Sequence, residues 1–367
     1  MTAASEADRE VAISEAAAGA APGEVAAPRL VRSEITLDDG HRVQVTVAGR
    51  GIPLVAVHGL SAEGLVYAQS LSRLVASGFK VVAIDTAGHG GTDGLRGGRD
   101  LSDYAKLLAR VIEHLGIGRA VFLGHSMGGR LVAEVVANDP RRAVAVLLVD
   151  AIVGDTWDRM VQLYRFVPPL MAVTGASLAL DTLTTFPLAR NPAQAAKLGK
   201  LWAPVLVRNV RRPWHVVAAG WSILRSGSTR WMLDLLSDER VPVFVIHGDR
   251  DYTVPVRTAR DAAYRSRGEL VVVKGATHAW VLRDPETLPA ILAELLDGSL
   301  GAAIRSAERE AGIGSDPSLD EIERVFYRPG APALLLTPPL SFERSGRRRR
   351  GPGYTWTSEA PAGSVRP

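Results

Sequence analysis

Residues 120–137 read AVFLGHSMGGRLVAEVVA. The apolar run at the start is typical of a buried strand, and the residues from Leu131 onward have helical spacing. Between them lies Gly124-His125-Ser126-Met127-Gly128, with a glycine two positions away from the serine on each side. Glycine removes side chains that would collide where a strand turns sharply into a helix. The pattern predicts that Ser126 projects from this turn as a nucleophile; the alternative is a tight turn with a purely structural role.

A serine hydroxyl is a weak nucleophile near neutral pH, so it needs a histidine as base and a carboxylate to orient that histidine. We choose His278 as the base because it follows the last predicted strand, late in the chain, in the turn Lys274-Gly275-Ala276-Thr277-His278. The alternative is a loop histidine with a structural role. The other histidines lie in the opening hairpin, in helical runs, in an insertion or in other turns: His41, His58, His89, His114, His125, His215 and His247.

The turn before that last strand carries two carboxylates, Asp249 and Asp251. We choose Asp251 as the acid that orients the histidine, and we expect Asp249 to brace the turn. Asp150, which closes an earlier strand, is the alternative acid. Because ligands bind at the carboxyl ends of parallel strands, all of these turns are expected at one edge of the sheet.

Acyl transfer also needs two amide donors that stabilise the oxyanion. The first is expected to be the N–H of Met127, directly after the nucleophile. The second is expected to be the N–H of Leu60, in the turn His58-Gly59-Leu60-Ser61 that follows the first buried strand. The alternative for this second turn is an ordinary strand-to-helix connection.

Strands and helices alternate along the chain, which predicts a parallel sheet with helices on both faces. An antiparallel hairpin is expected at 33–48, and no strand is evident between Ala151 and about Arg240. That insertion holds five of the seven tryptophans; they either pack its helices onto the core or roof an apolar pocket. The predicted organisation is a disordered N-terminal tail (1–28), a first core segment (29–150), a helical cap (151–240), a second core segment (241–298), a helical extension (299–340) and a basic disordered tail (341–367).

The 367 residues are 47% hydrophobic and 22% charged, and cysteine is absent. Disulfide scaffolds, thiolate metal sites and cysteine nucleophiles are therefore excluded. The net charge of +4 lies in the C-terminal tail, so a nucleic-acid-binding core is not expected, although Arg347–Arg350 could make a weak contact with a membrane surface. No signal peptide, membrane span, metal site or dinucleotide-binding motif is evident, so we expect a cytoplasmic protein without a cofactor. The oligomeric state cannot be read from the sequence.

Taken together, these motifs resemble the α/β-hydrolase family. The resemblance covers about Ser33 to Leu296, and its five motifs occur in family order: His58-Gly59, Asp85–Gly90, Gly124–Gly128, Gly248–Asp251 and Gly275–His278. It implies an eight-stranded, mostly parallel sheet with helices on both faces and an inserted helical cap. It also implies the order Ser126, Asp251, His278, although some members draw the acid from the position of Asp150. In the family the Asp85–Gly90 turn is a structural brace.

The resemblance implies an enzyme. Epoxide hydrolases and dehalogenases of the family are excluded, because they attack through a carboxylate and this position is Ser126. We expect a serine esterase or lipase-like hydrolase that cleaves carboxylic esters with a hydrophobic acyl or alcohol part. The alternatives are a thioesterase, a C–C bond hydrolase, a cofactor-free haloperoxidase, or a receptor-like ligand-binding protein with little turnover. Fold similarity by itself does not choose among these substrates.

Overall fold

A computed structural model describes residues 27–28, 30–184, 192–315, 317–336, 342–343 and 351–361. The run Arg347–Arg350 and the N-terminal segment 1–26 lie outside the described residues. A two-residue pair, β1 (Ala27–Pro28) with β10 (Phe342–Glu343), stands apart from the main sheet. The main sheet is formed by β2 (Val31–Thr36), β3 (Arg42–Ala48), β4 (Ile52–Val57), β5 (Phe79–Ile84), β6 (Ala120–His125), β7 (Ala143–Val149), β8 (Val243–Gly248), β9 (Glu269–Val273) and β11 (Trp356–Glu359).

The main sheet has the strand order β11-β9-β8-β7-β6-β4-β5-β3-β2. Strands β4 to β9 pair in parallel, whereas β2, β3 and β11 pair antiparallel with their neighbours. Every residue of β4, β5, β6, β7 and β8 is buried, because helices cover both faces of a parallel sheet. The predicted α/β-hydrolase architecture is confirmed.

The pair of β1 and β10 lies in segments that were expected to be disordered, and one strand of the main sheet was also not predicted. Trp356–Glu359 extends the eight expected strands to nine by pairing with Leu270–Val273 of β9. The interpretation of 341–367 as a disordered tail is therefore wrong for residues 351–361. The strand covers the otherwise open edge of β9, and Tyr354 packs edge-on against Trp280 with ring centroids 6.2 Å apart. The strand Trp356–Glu359 pairs its backbone N–H and C=O groups with those of β9, although Gly and Arg residues precede it in the sequence.

The helices of the core flank the sheet: α1 (Ala68–Val75), α2 (Leu101–His114), α3 (Met127–Asn138), α9 (Val256–Ser266), α10 (Trp280–Arg283) and α11 (Thr287–Asp297). Three more follow in the C-terminal extension: α12 (Ser299–Glu310), α13 (Leu319–Phe326) and α14 (Pro332–Leu335). In the described chain, no single helix is long and apolar enough to cross a membrane, and α11 with α12 meets that length and composition only as a pair bent by 57°.

The segment between β7 and β8 is helical: α4 (Asp155–Phe166), α5 (Pro168–Thr184), α6 (Pro192–Arg211), α7 (Pro213–Arg225) and α8 (Arg230–Asp238). Phe186, one of the aromatic residues of this insertion, lies outside the described residues. Trp157 is buried and packs edge-on against Tyr164, with centroids 6.4 Å apart. Trp214, Trp221 and Trp231 are instead exposed, so these three neither pack the insertion onto the core nor lie in a closed pocket. We call α4–α8 the cap.

Candidate active site

Ser126 occupies the sharp turn between β6 and α3. Its backbone has φ 53° and ψ −117°, a conformation that side chains other than glycine rarely adopt. The flanking glycines are sterically required: a Cβ on Gly124 would lie 2.4 Å from the Gly128 carbonyl oxygen, and one on Gly128 would lie 2.2 Å from the Val57 oxygen. The turn holds Ser126 at the carboxyl end of β6, with 8% of the residue exposed.

His278 and Asp251 lie together at the same edge of the sheet. The Nδ1 of His278 is 2.6 Å from the Asp251 Oδ2, and both residues are buried. The other oxygen of Asp251 accepts the N–H groups of Thr253 and Val254 at 2.8 and 2.7 Å. Because the carboxylate only accepts, Nδ1 carries the proton in the neutral form of His278, and Nε2 then has a free lone pair. The pair thus has the arrangement of a histidine base with its orienting acid.

The ionisation of this pair follows from burial and mutual attraction. Burial would lower the pKa of His278, but the negative charge of Asp251 and its hydrogen bond raise that pKa to about 9. Burial would raise the pKa of Asp251, yet the nearby His278 holds it below its usual value. Asp251 is therefore ionised near neutral pH, as an orienting acid needs to be.

Asp150, the alternative acid, has a different role in the structure. Its oxygens accept the N–H of Gly248 at 2.9 Å and the indole N–H of Trp280 at 2.6 Å. Complete burial raises its pKa well above the usual value. Asp150 thereby connects the ends of β7 and β8 to the helix after His278. Asp249 accepts the N–H of Gly275 at 2.6 Å and braces its turn, as predicted.

His247 lies between the two acids. Its Nε2 donates to the Val254 carbonyl at 2.7 Å, and its Nδ1 lies 3.8 Å from the Asp150 Oδ1. Donor atoms of Asp150, His247 and Asp251 lie within 4.8 Å of one another, which is close enough to hold a metal ion. Asp150 already accepts two hydrogen bonds and Asp251 accepts three, so the cluster has the character of a hydrogen-bonded support for His278 rather than of a ligand set.

The two predicted oxyanion donors come from adjoining turns. Met127 is the first residue of α3, so its N–H has no partner within the helix. The N–H of Leu60 makes no hydrogen bond with any part of the chain that the structure describes. The turn of Leu60 packs directly on the turn of Ser126, since a Cβ on Gly59 would lie 3.2 Å from the Ser126 Cβ. His58 fixes this turn through Nδ1, which donates to the Gly59 carbonyl at 2.8 Å.

A network through Tyr67 and His125 connects these turns, and sequence reasoning missed it. The N–H of Gly59 donates to the Tyr67 hydroxyl at 3.4 Å, and that hydroxyl donates to the His125 Nδ1 at 2.8 Å. The Nε2 of His125 donates to the His278 carbonyl at 3.2 Å. Burial lowers the pKa of His125 to about 3, so it stays neutral and keeps these roles. The one sequence signal for this network is the position of His125 directly before Ser126.

The cap contacts the same turns. Arg208 of α6 pairs with the buried Glu63, with Nε 3.1 Å from Oε1, and Asn209 donates to the Ser61 carbonyl at 2.9 Å. From α5, Asp181 accepts the N–H of Ala279 at 2.7 Å, next to His278. The cap therefore touches both the turn of Leu60 and the turn of His278.

The comparisons with known proteins agree with this geometry. A family model described as serine aminopeptidase, S33, matches residues 52–286. The chain belongs to the α/β-hydrolase family. It is also 32% identical to a candidate non-heme haloperoxidase of Mycobacterium phage D29, over 72% of this chain and 94% of the phage protein. The prediction of an α/β-hydrolase enzyme is confirmed.

Two further proteins extend this comparison. A bifunctional esterase/perhydrolase of Acinetobacter calcoaceticus is 29% identical over 62% of this α/β-hydrolase and 83% of its own length. A structure solved in a study of carboxylesterases of Nitrososphaera gargenis superposes with a TM-score of 0.58 at 22% identity, over 75% of this chain and all of that one. At that identity the solved structure supports the fold alone.

Proposed function

We propose that this α/β-hydrolase is a serine esterase that cleaves carboxylic esters with a hydrophobic acyl or alcohol part. The observation that carries the proposal is the 2.6 Å bond from His278 to Asp251 at the same sheet edge as the strained turn of Ser126. The strained backbone of Ser126, with φ 53°, is of the kind that clusters at active sites. The esterase among the related proteins supports the same reaction class.

The reaction follows from the roles of three residues. The Ser126 oxygen attacks the ester carbonyl while the Nε2 of His278 takes its proton. The C–O bond to the alcohol breaks, and His278 returns the proton to the departing oxygen. Water then gives a proton to His278, attacks the acyl-enzyme and releases the acid. Asp251 keeps Nδ1 protonated throughout and stabilises the transient imidazolium.

Two amides stabilise the negative oxygen in each tetrahedral intermediate. In this proposal the donors are the N–H groups of Leu60 and Met127, since neither is used in secondary structure. Removing one such donor typically costs about 2.7–4 kcal/mol of transition-state stabilisation. The network from Gly59 through Tyr67 and His125 to His278 holds the donor turn in register with the base.

The hydrophobic part of the substrate is inferred from the cap. The cap helix that reaches His278 through Asp181 is α5, in which every residue but one is uncharged. On the underside of this helix an ester that reaches Ser126 would meet one charged side chain, Asp181, and otherwise uncharged ones, which favours an uncharged substrate part. Lids of this type exclude water while the acyl-enzyme forms.

The test is turnover of p-nitrophenyl esters with short, medium and long acyl chains, with the thioester of the best chain in parallel. We expect activity that rises with chain length and falls about 10⁴-fold or more in Ser126→Ala. The matched control is Ser299→Ala, an exposed serine that bonds Glu269 at the amino end of β9, opposite the carboxyl edge that holds Ser126. Undiminished turnover in Ser126→Ala would refute the proposal. Faster cleavage of the thioester than of the ester would identify a thioesterase instead.

A second activity is favoured by the esterase/perhydrolase relative. If hydrogen peroxide replaces water as the attacking group, the same acyl-enzyme yields a peracid, and the proton passes through His278 as before. The test adds hydrogen peroxide to the ester assay and measures peracid. Peracid formed by wild type but not by Ser126→Ala would establish this activity, and unchanged release of acid alone would exclude it.

A further inference from the structure

Helix α5 has an unusual distribution of apolar residues. It spans 17 residues, Asp181 is its one charged residue, and no residue of the helix is buried. A helix that is apolar all round is normally buried in a protein core or in lipid. Phe166, at the corner between α4 and α5, is 84% exposed, and Val173, Leu180 and Leu183 are also exposed. This part of the cap leaves apolar surface in contact with water.

Three polar residues of this helix and of α6 face the core. Asp181 is turned to the core and bonds the N–H of Ala279. In α6, Arg208 and Asn209 contact Glu63 and the Ser61 carbonyl of the core. Large apolar residues are exposed on the far side of these helices: Val173, Leu180 and Leu183 of α5, and Leu206, Val207 and Val210 of α6.

The charge of this part of the cap indicates the kind of surface that is complementary to these exposed residues. Residues 163–214 contain seven Lys and Arg, against Asp181 as their one acid. Arg211, the last residue of α6, and Arg212, before α7, are exposed and close in sequence to the exposed Trp214. Two copies of the cap placed face to face would bring like charges together, which disfavours self-association. A surface that is apolar, tryptophan-containing and basic is complementary to anionic lipid.

We propose that the outward cap surface, formed by Phe166, Val173, Leu183, Leu206 and Val210 with Arg211 and Arg212 beside it, docks on an anionic lipid surface. The apolar side chains enter the boundary between headgroups and acyl chains, and the arginines contact the headgroups. The opposite side of the same helices holds the turns of Leu60 and His278, so docking places the site mouth near the lipid. The binding itself does not depend on the esterase proposal.

The test is flotation of the full chain with vesicles of phosphatidylcholine alone and of phosphatidylcholine mixed with phosphatidylglycerol. We expect binding to the mixed vesicles and at least tenfold weaker partitioning of Phe166→Ser/Val173→Ser/Leu183→Ser, since each side chain removes apolar area from the interface. The matched control is Tyr264→Ser, an exposed aromatic residue on α9 of the core. Circular dichroism verifies that each variant is folded.

A second variant pair separates charge from apolar contact. Arg211→Ala/Arg212→Ala is expected to lose about fivefold per arginine on the mixed vesicles and little on phosphatidylcholine, whereas Arg141→Ala/Arg324→Ala keeps wild-type binding. Equal binding by the apolar triple variant and wild type would overturn the proposal. So would a loss of binding only when Arg347–Arg350 are replaced by Ala, or a dimer without lipid that the triple variant abolishes.

Discussion

The core and the cap helices α5 and α6 differ in the side chains that they expose. In the core, the strand residues are apolar and buried, and polar groups that enter it, such as Asp150 and Asp251, have their hydrogen bonds satisfied. In the cap, Asp181 and Arg208 face inward while Leu183 and Val210 face outward. The difference indicates that the core is built for a rigid site, whereas the cap is built to be covered by something other than water.

The sharpest contrast within the core concerns the two acids. Asp251→Asn should reduce kcat/KM about 10⁴-fold, because the amide no longer fixes the tautomer of His278. Asp150→Asn should reduce it only about 10-fold, since Asp150 contacts Trp280 and Gly248 instead of the histidine. The latter change should mainly lower the melting temperature. Steady-state kinetics and thermal melts of both variants check this, and equal losses of activity would contradict the assignment of Asp251.

A Gly→Ala substitution should lower the stability of the core but raise that of the cap. Gly128→Ala places a Cβ 2.2 Å from the Val57 carbonyl oxygen and should destabilise the core by at least about 3 kcal/mol. Gly175→Ala, in α5, meets nothing within 4 Å and should stabilise the cap by about 0.5–1 kcal/mol. Urea unfolding of each variant measures this. A tolerated Gly128→Ala would mean that the turn of Ser126 is not tightly packed.

The pH dependence reports on the core site alone. His278 must be neutral to accept a proton, and its pKa is raised to about 9, so kcat/KM should rise about tenfold per pH unit and level off above about 9. The same shift stabilises the folded protein below the unfolded pKa of about 6.5, and this stabilisation is lost as pH rises through about 9. Asp251→Asn should move the kinetic midpoint to lower pH. A midpoint near 9 in that variant would show that another group titrates.

The smallest effect is expected where the cap meets the core. Arg208→Met removes one of the two arginines that pair with Glu63 beside the turn of Leu60. It should lower kcat/KM only about fivefold, since Arg32 still pairs with Glu63 and the Arg208 side chain is partly exposed. Arg225→Met removes another cap-to-core pair, with Asp100, that is half-exposed and far from the site. It should change kcat/KM by less than about twofold. Equal effects of the two changes would mean that the Arg208 contact does not position the oxyanion turn.

Much of the core could be predicted from local pattern. The buried strands are short Val, Ile and Leu runs, and the turn of Ser126 is marked by glycines two positions away from the serine on each side. The bond of His278 to Asp251 follows from which turns end neighbouring strands. The network through Tyr67 was not predictable, because Tyr67 lies 58 residues from its partner His125. The strand at Trp356–Glu359 was hidden by the Gly and Arg residues before it.

The cap could be predicted only as helical. Its apolar spacing indicates which residues form helices, but apolar residues on a helix are normally assigned to the buried face. The inward position of Asp181 and the exposure of Leu183 depend on contacts with turns about a hundred residues away. No local sequence pattern indicates that Asp181 faces inward and Leu183 outward, so the outward cap surface could be identified only from the structure.

The most direct test of the account is labelling of the purified protein with a fluorophosphonate, followed by peptide mass spectrometry. The reagent forms a stable bond only with a serine that a neighbouring base activates. The account predicts one adduct per chain, on Ser126, and its loss in both Ser126→Ala and His278→Ala. An adduct on another serine, or labelling of Ser126 that persists in His278→Ala, would contradict the central claim that His278 activates Ser126.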